Sequence, residues 1–469
     1  MAQPMTQQLQ QYSTETKRNT LLTITMASFL TPFVGSAINL AIPAIGAQYN
    51  ASALHLSWVV TSYILASAAF LVPFGRMADM VGRKKVYLTG LLIFALCSLL
   101  CGLSSSVETL IAFRCLQGVG SAMMFSTAMA ILTSVFAPQE RGKILGINVA
   151  TVYVGLSLGP VLGGALNHQL GWQSIFYLCV LISLIAVGVG VKKLPADTVG
   201  IQGEKYDFSG AMLYSVGLVA FLYSISSIAA QTSAIFILVA GLCILTLFVR
   251  HELNTAFPVL NFKLFKGNKT FAFSNLAALI NYSATFALTF LLSLYLQVVL
   301  GYNSQNAGLI LLVQPVLMAL LSPFAGRLSD KVAPRIVSSG GMALCTLGLV
   351  MFVFLSANTP LWFIMINLVF LGIGFALFSS PNSNSVMGSV EKRFLGVASS
   401  ILGTMRLAGQ AISMAVATLI VTSFVGDVEF AQADIVLLTK SIKTAFMVFA
   451  ITCFAGIFAS LARGEVKAE

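Results

Sequence analysis

Fourteen apolar stretches fill almost the whole of this 469-residue chain. A helix that crosses a lipid bilayer needs about 20 consecutive apolar residues. Stretches of that kind lie near residues 20–45, 56–75, 86–104, 109–134, 144–166, 173–191, 210–229, 233–250, 271–299, 306–325, 336–356, 361–380, 396–424 and 442–462. The connections between them are short, so the sequence predicts a bundle of membrane helices without a separate soluble domain.

The scarcity of charge supports the same conclusion. Charged residues make up 9% of the chain and hydrophobic residues 58%, whereas a soluble protein carries about 25% charged residues. This composition excludes a disordered chain, a nucleic-acid-binding module and an ordinary soluble enzyme. The polar stretch at residues 1–19 and the long apolar run after it predict a retained first span instead of a cleaved signal peptide.

The positions of the basic residues predict the orientation. Lys and Arg total 26 against 15 Asp and Glu, and surplus cations mark the cytoplasmic side of membrane proteins. Of the 26, 22 fall in the two tails and the even-numbered connections, while Lys440 and Lys443 fall on the other side. We therefore expect both termini in the cytoplasm of a cell with the chain in its inner membrane. The net charge of +11 is then explained by the orientation of the chain in the lipid bilayer, which is its expected partner. It does not indicate that the protein binds nucleic acid.

Two similar loops indicate an internal repeat. The second span is followed by GRMADMVGRKK (residues 75–85), and the tenth by GRLSDKVAPR (residues 326–335). Both begin G-R-x-x-D and end in basic residues. A parallel repeat of this kind is typical of transporters built from two homologous halves.

Three motifs carry a resemblance to a known family. The first loop resembles the signature G-x-x-x-D-x-x-G-R-[RK]-[RK] of the major facilitator superfamily, and the second copy is degraded. RCLQGVG (residues 114–120) is similar to that superfamily's R-x-x-Q-G-x-G motif. GLSLGPVLGG (residues 155–164) looks like its antiporter motif G-x-x-x-G-P-x-x-G-G, which is typical of exporters. With fourteen spans, the sequence resembles the 14-span drug:proton antiporter family.

The resemblance implies an all-α polytopic membrane protein with the major facilitator fold. It implies a cytoplasmic tail at 1–19, a six-helix bundle at 20–191, linkers with an inserted two-helix hairpin at 192–270, a second six-helix bundle at 271–462 and a tail at 463–469. We expect the hairpin, about 210–250, at the periphery facing lipid. The implied function is efflux of small amphipathic molecules by alternating access, coupled to protons, in a monomer without a cofactor.

The resemblance also implies a cytoplasmic gate formed by Gly75, Asp79, Gly82, Arg83 and Arg141. The two glycines allow a tight turn and close helix approach. Asp79 is expected to pair with Arg83 or Arg141 and to hold the two bundles together on the cytoplasmic side in one state. The alternative is a loop whose cations only fix the topology.

The antiporter motif comprises Gly155, Gly159, Pro160, Gly163 and Gly164. Glycines at every fourth position form a stripe on which another helix can pack closely, and the proline bends its helix. The functional interpretation is that this stripe seals the outer side of the transporter. The alternative is ordinary helix packing.

Two arginines lie inside predicted spans, and a buried guanidinium in a membrane usually marks a pathway or a proton relay. We assign coupling or substrate binding to Arg114, Gln117, Arg406 and Glu108, with a structural hydrogen-bond hub as the alternative for Arg114. Asn39, Asn281, Tyr282, Gln314 and Gln410 are candidate cavity residues, alongside Asn148 and Asn367. Each of these side chains can instead form a hydrogen bond between helices.

The sequence departs from the family at its first span. That family usually reads D-x-T-I-V-N-V-A-L-P, and here Val34 stands at the aspartate position. No acidic residue falls at the middle of a predicted span, so a proton site must lie elsewhere, such as Glu108 or Asp79, or coupling is absent. Neutral and anionic substrates therefore stand beside cationic ones. The alternative function is a uniporter or importer of an organic anion or sugar that lacks carboxylate-based proton coupling.

No enzyme chemistry is apparent. The chain lacks the G-x-x-x-x-G-K-[ST] motif of ATP-driven pumps, and its three histidines are scattered. The seven cysteines all fall within predicted spans, which makes a disulfide framework unexpected. We predict neither a metal site nor a catalytic residue.

Overall fold

The structure is a computed structural model of the chain. It describes residues 12–464 apart from 137, 196–204, 228–232, 261, 263–264, 266, 391–394 and 427–433. Within this part of the chain, fourteen helical stretches are long and apolar enough to cross a membrane. The predicted all-α fold with fourteen spans is confirmed.

The first eight spans are each a single helix: α1 (Thr14–Tyr49), α2 (Ala53–Val81), α3 (Arg83–Gly102), α4 (Val107–Val135), α5 (Pro138–Leu170), α6 (Gln173–Lys193), α7 (Phe208–Ser227) and α8 (Ala234–Asn254). The last six spans comprise α9 (Lys269–Thr285), α10 (Leu288–Leu294), α11 (Ser304–Leu311), α12 (Val313–Lys331), α13 (Pro334–Phe352), α14 (Leu361–Gly388), α15 (Leu395–Val425) and α16 (Ile435–Leu461). We call α1–α6 the N-terminal half and α9–α16 the C-terminal half.

The ninth span, which the sequence predicts as one apolar stretch near residues 271–299, is broken. The α9 helix ends at Thr285, α10 follows, and a π-helical turn at Tyr295–Val299 completes the span. The Ser413 hydroxyl of α15 accepts a hydrogen bond of 3.0 Å from the backbone N–H of Ala287 at the break. A side chain from a neighbouring helix thus satisfies a backbone group that the interruption frees.

Helix packing separates the two halves. In the N-terminal half, α1 packs on α5, and α2 and α3 pack on α4. In the C-terminal half, α12 and α13 pack on α14, and α9 packs on α15 and α16. Because an even number of spans returns the chain to its starting side, the first and last described residues, Tyr12 and Gly464, lie at one end of the bundle. We call this the termini end and the other the opposite end.

The hairpin of α7 and α8 is attached to both halves. The α8 helix presents large apolar side chains outward, and Phe236 is 77% exposed. The α7 helix instead packs on α2 and on α15. On α2, the Tyr214 hydroxyl donates to the Ala68 carbonyl at 3.0 Å and the Ser215 hydroxyl to the Ala69 carbonyl at 2.8 Å. The expectation of a lipid-facing hairpin therefore describes α8, whereas α7 covers the line where α2 meets α15.

Candidate functional site

A polar and aromatic cluster joins the two halves. The Arg406 guanidinium of α15 lies 5.1 Å from the ring centre of Tyr282 on α9. The Tyr282 ring packs edge-on against Phe375 of α14, with 5.4 Å between the centroids. One turn further along α14, the Ser379 hydroxyl lies 3.0 Å from the hydroxyl of Tyr153 on α5. We call these five residues the central cluster.

The central cluster lies deep in the membrane-spanning region. At 1.5 Å per residue, its members are roughly 14–23 Å from the helix ends at the termini end. Arg406 is half-buried, whereas Tyr282 and Tyr153 are buried. Among the described residues, no carboxylate forms an ion pair with Arg406. With no described counter-ion, the cation is held against the π-face of the Tyr282 ring, a contact that is favourable for a guanidinium.

The five predicted cavity residues differ in how far they are exposed. Gln410, one turn beyond Arg406, and Gln314 are half-buried, so part of each side chain is accessible. Asn39 and Asn281 are buried. The Asn39 amide donates to the Gly35 carbonyl of its own helix at 3.2 Å, and both side-chain polar atoms of Asn281 are buried without a hydrogen-bond partner. Of the five, Tyr282 contacts Arg406.

Arg114 is not part of the central cluster. It is fully buried within the N-terminal half, where Nε donates to the Val59 carbonyl at 2.9 Å and Nη1 to Gln117 Oε1 at 2.7 Å. The Gln117 amide donates in turn to the Ser98 hydroxyl at 2.7 Å. The guanidinium also lies 4.3 Å from the ring centre of Tyr63. This network links α2, α3 and α4, so the geometry favours the hydrogen-bond hub over the pathway for Arg114 and Gln117.

We expect Arg114→Ala to lower the thermal stability of the protein. The substitution leaves Gln117 and the Val59 carbonyl buried without their partner, and each such group costs about 1–3 kcal/mol. The measurement is the unfolding midpoint in detergent, with Leu116→Ala, an exposed residue of the same helix, as the control. An unchanged midpoint with abolished transport would contradict the hub and return Arg114 to the pathway.

Glu108 lies apart from both arginines. It is exposed in the first turn of α4 at the opposite end, where its charge complements the positive end of the helix. Among the described residues, no group of three His, Cys, Asp or Glu side chains has an arrangement that could hold a metal ion.

The antiporter motif has two contact faces. The stripe of Gly155, Gly159 and Gly163 lies against α1 of the same half: a Cβ on Gly159 would lie 2.6 Å from that of Ser36. The next glycine faces the other half, since a Cβ on Gly164 would lie 2.5 Å from the Ser304 carbonyl oxygen. The Ser304 hydroxyl donates to the Gly164 carbonyl at 3.2 Å. The three-glycine stripe is therefore a packing surface within the N-terminal half. The motif contacts the C-terminal half through its last residue, Gly164.

Two further contacts join the halves toward the opposite end. Gly308 of α11 lies against the carbonyl of Pro160, so close that there is no space for a Cβ. The Ser293 hydroxyl of α10 donates to the Asn39 carbonyl of α1 at 2.7 Å. Together with the contact at Gly164, these interactions join the two halves toward the opposite end.

The predicted gate residues lie at the termini end. Asp79 Oδ1 accepts from Arg83 Nε at 2.9 Å and Nη2 at 2.8 Å, and both residues belong to the N-terminal half. Between them, Gly82 has a φ of 118°, a conformation that favours glycine, and forms the turn from α2 to α3. A Cβ on Gly75 would have ordinary clearance from Ser126. The side chain of Arg141 lies outside the described residues.

Sequence reasoning missed Tyr153, Phe375 and Ser379. Tyr153 lies two residues before Gly155 of the antiporter motif, and Ser379 lies in an S-S-P-N-S-N-S stretch of α14. Unusual polarity in an otherwise apolar span was the available signal for Ser379. The pairing of the two hydroxyls, 226 residues apart, had no sequence signal.

Comparison with known proteins agrees with this architecture. The sequence matches the Major Facilitator Superfamily over residues 24–267 and 274–468. It is 32% identical over 404 residues to the riboflavin transporter RibZ of Clostridioides difficile (strain 630), covering 86% of this chain and 87% of that protein. It is 32% identical over 415 residues to the cephamycin export protein CmcT of Amycolatopsis lactamdurans, covering 86% and 85%.

A solved structure gives the same result for the fold. A bacterial homologue of the human lysosomal transporter Spinster superposes with a TM-score of 0.70 at 15% identity, covering 96% of this chain and 98% of that one. The family match and the transporter relatives identify a membrane transporter and not an enzyme. The chain belongs to the major facilitator superfamily.

Proposed function

We propose that this protein is a secondary active exporter of small amphipathic molecules that works by alternating access. The observation that carries the proposal is the central cluster, in which Arg406 lies within a span beside Tyr282 and Tyr153 of the N-terminal half contacts Ser379 of the C-terminal half. A site at the midplane between two repeats is where secondary transporters bind substrate. Movement of one half against the other would expose such a site to each side in turn.

We propose that the substrate presents a hydrogen-bond acceptor or an anionic group to Arg406 and an apolar body to Tyr282 and Phe375. A guanidinium has five N–H donors and no acceptor, and the described residues supply no carboxylate to neutralise it. This favours neutral and anionic substrates over cationic ones.

We further propose that both termini are cytoplasmic in the inner membrane and that export is driven by protons. The segregation of basic residues supports the orientation, and the resemblance of residues 155–164 to an antiporter motif supports exchange. Glu108 and Asp79, at opposite ends of the bundle, are the candidate proton carriers. The export activity in the name of CmcT is consistent with this direction.

Accumulation of fluorescent probes in everted membrane vesicles tests the proposal. Three amphipathic probes of similar size, one anionic, one neutral and one cationic, are each offered with and without an acidic vesicle interior. We expect the anionic or neutral probe to accumulate only when the interior is acidic and the protein is present. Failure of all three probes with a properly inserted protein would contradict export.

The absence of an acid at the middle of any predicted span favours one competing function, a uniporter or importer of an organic anion or sugar. That transporter would equilibrate its probe across the vesicle membrane at the same final level with and without the pH gradient. The same vesicles therefore distinguish the two functions.

A further inference from the structure

A pocket lies at the termini end of the C-terminal half, about 9–18 Å along the helices from the central cluster at 1.5 Å per residue. It is a cavity of about 150 Å³. Its lining includes Thr270 of α9, Ser385 of α14, Arg335 at the start of α13 and Arg463 just after α16. We call it the Arg463 pocket. Its described lining contains two arginines and no acidic residue.

Arg463 is buried and incompletely hydrogen-bonded. Its side chain is 1% exposed. Nη2 donates to the Ser460 hydroxyl at 2.7 Å, and this hydroxyl also accepts from Ser339 at 2.8 Å. Nε and Nη1 are buried without a hydrogen-bond partner. A buried donor that lacks a partner is costly, and here two donors of one charged group share this condition.

The guanidinium remains charged despite its burial. Burial lowers the pKa of Arg463 to about 9, which is still above neutral pH. Burial is the cause of this shift, and no carboxylate among the described residues offsets it. Among the described residues, no carboxylate forms an ion pair with Arg463.

The start of α13 adds to this positive potential. The helix begins at Pro334, and no side chain caps its N-terminus at Ala333. Pro334 has no N–H, and the N–H groups of Ile336 and Val337 donate to the Ala333 carbonyl, so it is the positive end of the helix dipole that favours an anion here. Both Ala333 and Pro334 line the pocket, and the hydroxyls of Thr270 and Ser385 offer additional donors.

We propose that the Arg463 pocket binds a phosphate-bearing anion. Phosphate oxygens match the planar, multiple donors of a guanidinium and the N-terminus of a helix. The anion is either the headgroup phosphate of an anionic phospholipid or a free phosphate, because the pocket lies at the end of the membrane spans. This site is separate from the proposed substrate site and does not depend on it.

Thermal unfolding of the purified full-length protein tests the site and its source of phosphate. One arm adds inorganic phosphate in detergent, with chloride at equal ionic strength as the reference. The other arm compares nanodiscs of phosphatidylglycerol with nanodiscs of phosphatidylcholine. We expect phosphate or the anionic lipid to raise the unfolding midpoint by a few degrees. A response to inorganic phosphate identifies free phosphate as sufficient, and a response confined to phosphatidylglycerol identifies the lipid.

Arg463→Gln is expected to abolish this shift, since it removes the charge at nearly constant size. The matched control is Arg250→Gln, which removes an exposed arginine at the end of α8 and should retain the shift. Absence of a shift in the parent protein, or an equal shift in Arg463→Gln, would overturn the proposal.

Thr270→Asp keeps the test decisive if Arg463→Gln fails to fold. A carboxylate in the first turn of α9 would occupy the pocket from within and complement both Arg463 and the helix dipole. We expect this variant to have a raised midpoint without added phosphate and no further response to it. A full phosphate response in Thr270→Asp would also contradict the site.

Discussion

Replacing Arg406 by alanine is expected to raise the KM for a transported anionic or neutral probe by about 10–100-fold. A hydrogen bond to a charged group contributes about 1.5–3 kcal/mol, and each 1.4 kcal/mol is about tenfold in affinity. Arg406 is the half-buried cation of the central cluster, in contact with Tyr282. The measurement is probe uptake into vesicles at several probe concentrations.

Two variants make this result specific. Arg250→Ala removes the same charge from an exposed position on α8, so its KM should match that of the parent protein. Arg406→Lys keeps the charge but loses the planar donors, and an intermediate KM is expected. If Arg406→Ala transports the probe with an unchanged KM, the substrate does not contact this residue and the proposed site is wrong.

Gly308→Leu should reduce the rate of transport at least about tenfold, without a matching loss of expression. There is no space for a Cβ between Gly308 and the Pro160 carbonyl. Overpacking costs about 1–3 kcal/mol, and it would penalise only the state in which the halves meet at the opposite end. A shift of 1.4 kcal/mol changes the ratio of two states about tenfold.

Accessibility of Ser293 reports this change directly. Its side chain is fully buried between the halves, so a cysteine at this position in a cysteine-free background should be protected from an impermeant maleimide. We expect Gly308→Leu to make that cysteine reactive. Gly340→Leu, at an exposed glycine of α13 with open space around it, serves as the matched control. Protection of the cysteine in Gly308→Leu would show that the opposite end still closes.

The fourteen spans could be predicted because each rests on a local property. An apolar stretch of bilayer length needs no knowledge of its neighbours. The pair of Asp79 and Arg83 is similar, since residues four apart on a helix are in reach of each other. The turn at Gly82 likewise depends on the conformation of a single residue.

The different roles of Arg114 and Arg406 could not be predicted from local properties of the sequence. Both lie within spans, and each is followed by a glutamine one turn later, Gln117 or Gln410. The structure places one among α2, α3 and α4 and the other beside Tyr282. That difference depends on how each helix is rotated in its bundle, which is set by packing over the whole fold. Arg463 is a further example, because the sequence predicted only a topological charge there and the structure buries it.

The attachment of α7 makes the two sides of the transporter unequal. Where α2 meets α15, the helix is fastened by Tyr214 and Ser215 to α2 and packs on α15 as well. In the alternating access that we propose, a change in the position of α2 relative to α15 would have to shift α7 along at least one of these helices, so that α7 would act as a strap between the halves. On the far side, α5 meets α11 and α12 beyond the reach of this strap.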